Sequence, residues 1–508
     1  MQSRQIFHRA AEAGLSAAVL KIIHQIISFG ATILLVRALS QEEFGIYSIL
    51  YAVIPMLNIV GSLGLHNVLQ RFLPEYYAGS ELRLAGKLAV RVFTIRFIAT
   101  IVILAAIFTY WDTLSGLVKI KEYKEYFAIF CVCIIAYQQW GLLLVTAESF
   151  FLHKIAFIIQ IVVVACRATA YLVCFVKGYG LWEILVIDSV VYCVLMTAFY
   201  VFYIRKVPRA EGERTQFGAT DKRRILRYAF FNNFNSIGIR FMDSGVNYLI
   251  VAYFMSPTQV AIFAFCNQLA NRFARLNPVS HLTSVIRPAF FSLGLASEEE
   301  RTVVMVRFLL KCIMWFFIPV FCFSILMGEA FIALVFGKYQ EYSNIFAACV
   351  VVSVANAIGF PISMSAQLRE RVDVILYSKI FALLSLAVSV LTVPLWGIWG
   401  AVVALGMGHL FKNLFIGWFV RDLLPIRAVA LATMQVGIFW GAVTLLLYFA
   451  LQPTATPLDL AIGVAVFGAA GIVFAYAIVT LDDIEKRFVR TMAVKAKAER
   501  FIPPRLRA

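Results

Sequence analysis

Along the chain, long apolar runs alternate with short polar breaks, and the runs share a length. Each holds about 20 residues with few charges, enough for an α-helix to cross a hydrocarbon layer of about 30 Å, where helices and closed barrels alone satisfy their own backbone polar groups. Fourteen such spans are predicted, at about 15–39, 44–73, 84–110, 125–147, 154–177, 180–204, 228–254, 258–286, 302–327, 342–366, 372–393, 397–420, 428–450 and 459–480. The first is longer than the apolar region of a cleaved secretory signal and is expected to stay in the mature protein. The pattern predicts an all-α polytopic membrane protein.

One polar break returns. "SQEEFGIYS" (Ser40 to Ser48) is echoed 216 residues later by "SPTQVAIFA" (Ser256 to Ala264), and at the same offset Arg71 falls on Arg287. "GLW" at Gly180 matches "GIW" at Gly397 one residue out of that register. The matched breaks join spans 1 and 2 and spans 7 and 8, so six spans separate each hairpin from its copy and orientation is preserved. A duplication of this kind predicts two six-helix lobes in parallel pseudo-twofold repeat about a central site, with span 2 beside span 7 and span 1 beside span 8. The expected division is 1–204 for the N-terminal lobe, 205–227 for a basic linker, 228–422 for the C-terminal lobe, 423–483 for two extra helices and 484–508 for a basic tail.

Charge decides orientation. The 508 residues are 62% hydrophobic and 14% charged, with a net charge of +17. With the N-terminus placed in the cytoplasm, one face collects 29 Lys and Arg, eight of them in Arg205 to Arg227 and eight after Asp483, and the other collects five: Lys119, Lys121, Lys124, Lys177 and Lys338. This positive-inside bias puts both termini in the cytoplasm and accounts for the basic excess without nucleic acid. The basic tail is expected to lie on the anionic leaflet. All nine cysteines fall inside spans with no C-x-x-C pair, which points away from a metal site or a disulfide framework. No phosphate-binding G-x-x-x-x-G-K-[ST] loop occurs, and no motif asks for a cofactor.

The run "LLVRALSQEEFGIYSILYAV" followed by "GSLGLHNVLQRFLPEYYAG" (Leu34 to Gly79) resembles the opening hairpin of the polysaccharide-transport family of bacterial oligosaccharide-lipid flippases. That family belongs to the multidrug, oligosaccharidyl-lipid and polysaccharide exporter group. "GIWGAVVAL" (Gly397 to Leu405) resembles its glycine-rich start of span 12. Two positions depart from the pattern, Glu183 in place of a usual glycine and Ser62 in place of an acid. The resemblance implies a monomeric carrier in the bacterial inner membrane, moving a polyprenyl-diphosphate-linked oligosaccharide outward by alternating access beside a polymerase or assembly proteins.

Eleven basic residues remain inside the spans: Lys21, Arg37, Arg91, Arg96, Arg167, Arg240, Arg272, Arg275, Lys311, Lys379 and Lys412. Each costs about 2.5–3.5 kcal/mol at a helix centre, so each is expected to face a cavity or a partner. Arg37, Arg91 and Lys379 lie near span ends and can reach the interface. In span 8, Asn267, Gln268, Asn271, Arg275 and Pro278 recur at spacings of three and four, a polar stripe with Arg272 beside it. The mates of Arg272 and Arg275 in span 2 are Met56 and Ile59, so the hairpin fold does not require them. Arg272 and Arg275 are the expected phosphate-binding pair, guanidinium being a planar multi-donor group suited to phosphate. Asn267 and Asn271 accompany them. Arg240 is followed by Asp243, which permits either an internal ion pair or a ligand site. Arg96, Arg167 and Lys21, the last on one face with His24 and Ser28, complete the candidates. Asn232, Asn233 and Asn235 suit either sugar hydroxyls or a helix cap.

Two other functions compete. A multidrug exporter of organic cations calls for intramembrane acids, which are few here: Asp188, Asp243 and Glu183. A membrane glycosyltransferase or polymerase calls for acids on sizeable outer loops, and the longest, 111–125 and 328–342, run to about 15 residues. The topology is open to direct test: single cysteines at Ser40 to Glu43 are expected to react with a membrane-impermeant maleimide from outside, and single cysteines in 205–227 to react only after permeabilisation.

Overall fold

The computed structural model describes residues 2–78, 81–149, 152–206, 217–240, 244–280, 299–451, 456–474 and 485–486. These are helical, with no strand among them. The first ten helices are α1 (Gln2–Ala38), α2 (Gln41–Gly61), α3 (Leu65–Ala78), α4 (Leu82–Thr109), α5 (Trp111–Leu117), α6 (Lys124–Ser149), α7 (His153–Lys177), α8 (Leu181–Lys206), α9 (Ala219–Arg240) and α10 (Ser244–Phe254). There follow α11 (Pro257–Arg275), α12 (Glu299–Leu326), α13 (Gly328–Phe336), α14 (Ser343–Leu368), α15 (Val372–Tyr377), α16 (Ile380–Trp396), α17 (Ile398–Phe419), α18 (Ile426–Leu451) and α19 (Pro457–Val473).

Among the described residues, 10 helices are long and apolar enough to cross a membrane. The expected fourteen are not reached by that measure, for reasons local to four spans. Span 2 is broken into α2 and α3, and span 7 is described as α9 and α10, on either side of residues 241–243, which lie outside the described residues. Span 8 begins as α11, whose polar stripe offsets its apolar residues. Span 14 begins as α19, of 17 residues.

The recurring hairpin has a capping explanation. Ser40 opens α2 with a capping box: its hydroxyl accepts from the Glu43 N–H at 3.2 Å while the Glu43 carboxylate accepts from the Ser40 N–H at 2.9 Å. Ser256 opens α11 in the same manner, its hydroxyl accepting from the Gln259 N–H at 3.4 Å, with Pro257 at the first helical position. The repeated serine three residues before Glu or Gln thus marks a helix start twice. Glu43 also accepts from the Leu181 N–H at 3.0 Å, tying the start of α2 to the start of α8.

The chain forms two compact units. The first covers Val19–Ala261 with Val393–Ile398, the second Met1–Ala18, Ile262–Thr392 and Trp399–Ala508. In the first, α6 packs along α8, and α2 contacts α4, α6, α8, α9 and α10. Leu69, Phe72 and Leu73 of α3 close a core with Leu84, Leu88 and Val92 of α4 and with Leu142 and Val145 of α6. In the second, α12 packs against α14 and α18. The two helices beyond the repeat are seated there: Val436, Trp440 and Phe474 meet Trp315 and Ile318, while Leu447 and Leu460 meet Leu326 and Met327.

The break between α2 and α3 depends on one glycine. Leu63 and Gly64 both take positive φ, 48° and 67°, and a Cβ on Gly64 would stand 2.1 Å from the Ala229 carbonyl oxygen of α9. Left-handed backbone costs other residues about 1–2 kcal/mol and overpacking about 1–3 kcal/mol more. Gly64→Ala is therefore expected to lower thermal stability by roughly 3 kcal/mol. Gly86→Ala on α4, where a Cβ meets nothing within 4 Å, should leave melting of the purified protein within error of wild type.

Candidate functional site

Three helices of the first unit each contribute two polar side chains four residues apart: Tyr47 and Tyr51 from α2, Arg167 and Tyr171 from α7, Asp188 and Tyr192 from α8. That spacing stacks each pair on one helix face, and the three faces converge on Asp188, which is completely buried. One carboxylate oxygen of Asp188 accepts from the hydroxyls of Tyr47 (3.0 Å) and Tyr51 (2.5 Å) and from Arg167 Nη2 (3.1 Å). The other accepts from Arg167 Nε (2.8 Å) and from the Tyr171 hydroxyl. Arg167 also donates to Tyr171 (2.8 Å) and Tyr192 (3.4 Å), and its guanidinium lies over both of their rings. Every nitrogen of the guanidinium has an internal partner, so the charge is neutralised in place.

A second polar cluster lies in the same unit. Arg96 of α4 is buried, and its Nη2 donates to Asn58 of α2 (2.6 Å) and Gln138 of α6 (2.7 Å). Neutral amide oxygens hold this cation where Arg167 has a carboxylate. Asn233 belongs to the α2–α3 break: its side-chain oxygen accepts from the Ser62 hydroxyl (2.7 Å) and the Gly64 N–H (3.2 Å). Of its two expected roles, the geometry is that of a backbone cap.

α11 carries Asn267, Gln268, Asn271 and Arg275 of the expected stripe and ends before its last member, Pro278. Asn267 is buried and accepts from the Asn271 amide at 3.3 Å; Arg272 is half-buried, and Arg275, two turns beyond Asn267 on the same row, is exposed. Lys21 is half-buried on α1. Arg240 ends α9, and its side chain, with Asp243, lies outside the described residues. The candidates therefore fall into separate groups: the α11 quartet, the two internally bonded arginines of the first unit, and Lys21.

The second unit holds polar groups whose partners sequence reasoning did not assign. Lys311 and Arg307 of α12 bind the buried Glu485 at 3.2 and 3.1 Å. On α17, Asn413 donates to the Ala355 carbonyl of α14 at 2.5 Å, and the missing side chain of Gly359 makes room for Lys412 Nζ and Asn413. The tyrosine cage around Asp188 was legible in part. Tyr-x-x-x-Tyr, Arg-x-x-x-Tyr and Asp-x-x-x-Tyr in three spans form a signal that counting basic residues alone passes over.

The model of a family described as polysaccharide biosynthesis protein matches residues 34–347. The chain belongs to that family. No curated protein matches it significantly in sequence. In fold it is similar to the lipid II flippase MurJ in an inward closed conformation, with TM-score 0.68 and 12% identity over 90% of this chain and 97% of that one. It is also similar to an inward-facing multidrug resistance transporter of the MATE family and MOP superfamily, with TM-score 0.61 and 15% identity over 82% and 98%. A third likeness is a MATE protein in complex with MaL6, with TM-score 0.54 and 13% identity over 83% and 97%. At these identities the likenesses establish a shared fold, that of multi-pass transporters, which the family member described here has throughout most of its length.

The Arg167–Asp188 pair gives the family fold a testable weak point. Removing one partner of a buried pair costs about 3–5 kcal/mol because the other is stranded, whereas replacing both with apolar residues is often neutral. Asp188→Leu is expected to lower the melting temperature sharply in detergent, and adding Arg167→Met to restore most of it.

Proposed function

We propose that the protein is a flippase that carries a polyprenyl-diphosphate-linked oligosaccharide, such as an exopolysaccharide, capsule or O-antigen unit, from the cytoplasmic to the outer leaflet by alternating access. The observation that carries this reading is the α11 face, where Arg272 and Arg275 follow Asn267 and Asn271 on a polar stripe absent from the duplicate helix. A guanidinium pair beside amides suits a diphosphate joined to sugars. Family membership in polysaccharide biosynthesis and a fold shared with a lipid II flippase support it. Arg240, Arg96, Arg167 and Lys21 stay in the proposal as further substrate-binding candidates, Arg96 and Arg167 acting through the side chains they already hold.

Transport of an anion outward gains about 2.3 kcal/mol per charge per 100 mV when the whole field is crossed, so this carrier needs no nucleotide hydrolysis and no enzymatic step. In this reading it works as a monomer in the inner membrane, with both termini cytoplasmic. The shared fold with MATE transporters raises a multidrug exporter as the second reading. Against it stands Asp188, the acid such a site would offer to an organic cation, which is buried and already bound by Arg167 and three tyrosines.

Arg272→Glu with Arg275→Glu is expected to abolish surface glycan in a deletion strain while membrane abundance stays near wild type. Undiminished glycan export by the double variant would remove the α11 pair from the mechanism.

A further inference from the structure

Within the first unit, the turn between α10 and α11 is gripped from two sides. Lys119, beyond the end of α5, donates from Nζ to the carbonyl oxygens of Met255 (2.8 Å) and Phe254 (3.5 Å). These carbonyls close the C-terminal end of α10, where partial negative charge gathers and a cation fits. Lys119 itself takes φ of 59°, a conformation that side chains other than glycine seldom adopt and that surrounding contacts must hold. From the other side, Gly45 of α2 approaches Pro257 so closely that a Cβ would stand 1.9 Å from the Pro257 carbonyl oxygen. Further along α10, Gly245 packs on Pro55 of α2, where a Cβ would come within 2.9 Å of the proline ring.

This gripped helix conceals an unmet need. Asn247 is 1% exposed, and neither its amide nitrogen nor its amide oxygen has a hydrogen-bond partner among the described residues. Buried polar groups in native proteins are almost always bonded, and an amide that is not calls for an explanation in function. An apolar residue of the same size would fill the space without that penalty. The amide is accounted for when the position has two environments, one of them wet or occupied by ligand.

We propose that α10 is a gate helix held shut by Lys119 and Gly45, and that Asn247 is a hydroxyl-binding residue which α10 uncovers when the grip releases, its ligand being the sugar hydroxyls of the transported headgroup. The ligand class rests on the flippase reading above, and the placing of Lys119 at the outer mouth rests on the positive-inside orientation. An asparagine side chain offers two donors and an acceptor, which matches vicinal hydroxyls and selects for no particular charge. Lys119 then sets how often the helix opens, and Asn247 meets what passes it.

Two measurements test the two halves separately. Hydrogen–deuterium exchange of the α10 peptide in the purified protein needs no cargo. Losing a charge-assisted hydrogen bond is expected to speed exchange about tenfold in Lys119→Met, with Lys121→Met, on the same loop, like wild type. Equal exchange in Lys119→Met and wild type overturns the gate. For the amide, Asn247→Leu is expected to melt at or above the wild-type temperature while glycan export falls to about one tenth or less. Asn247→Gln should recover part of the export. Wild-type export by a well-folded Asn247→Leu protein overturns the sugar assignment, and if that variant does not fold, Asn247→Ser serves the same comparison. A wild-type protein that exports no glycan defeats the flippase reading, and the exchange experiment still decides the gate.

Discussion

Hydrocarbon offers no hydrogen bonds, and the placement of polar groups in this protein follows from that constraint. A cation within a span must bring its own counterpart from a neighbouring helix. Arg167 reaches Asp188 and four tyrosine hydroxyls, and Arg96 reaches two amide oxygens. Each solution fixes a helix-to-helix distance, so that α2, α7 and α8 are registered by one carboxylate and α2, α4 and α6 by one guanidinium. α2 takes part in both, and it also contacts α9 and α10.

The same constraint separates internal cations from candidates for a ligand. Arg167 has no guanidinium nitrogen left to offer. Arg275 is exposed at the end of a polar helix row. The exposed Arg275 at the end of the Asn267–Asn271 row, with the half-buried Arg272 beside it, is the basis for the proposal that an anionic headgroup binds there. The shared fold with both a lipid flippase and drug transporters leaves that choice to the side chains.

Much of the architecture was legible because hydropathy and capping are local properties. Span length follows from runs of apolar residues, and the Ser40 and Ser256 turns follow from a serine three residues before Glu or Gln. The break in span 2 was less legible: Gly64 reads as an ordinary glycine until its φ of 67° and the nearby Ala229 carbonyl are known. Partnership between helices was least legible. Asp188 and Arg167 are 21 residues apart, on helices that sequence alone does not place face to face. Asn233, expected at a sugar or a cap, is drawn to the backbone of a break 169 residues away.

The pairing of Glu485 with α12 also bears on synthesis. Lys311 and its carboxylate are 174 residues apart in sequence. At about 5–20 residues per second, roughly 10–35 seconds pass between their emergence from the ribosome. During that interval the second unit inserts, and α12 must hold its basic face ready for a carboxylate not yet made. The order in which this half of the molecule matures is thereby set by a clock of chain elongation, with the seating of Glu485 among its final steps.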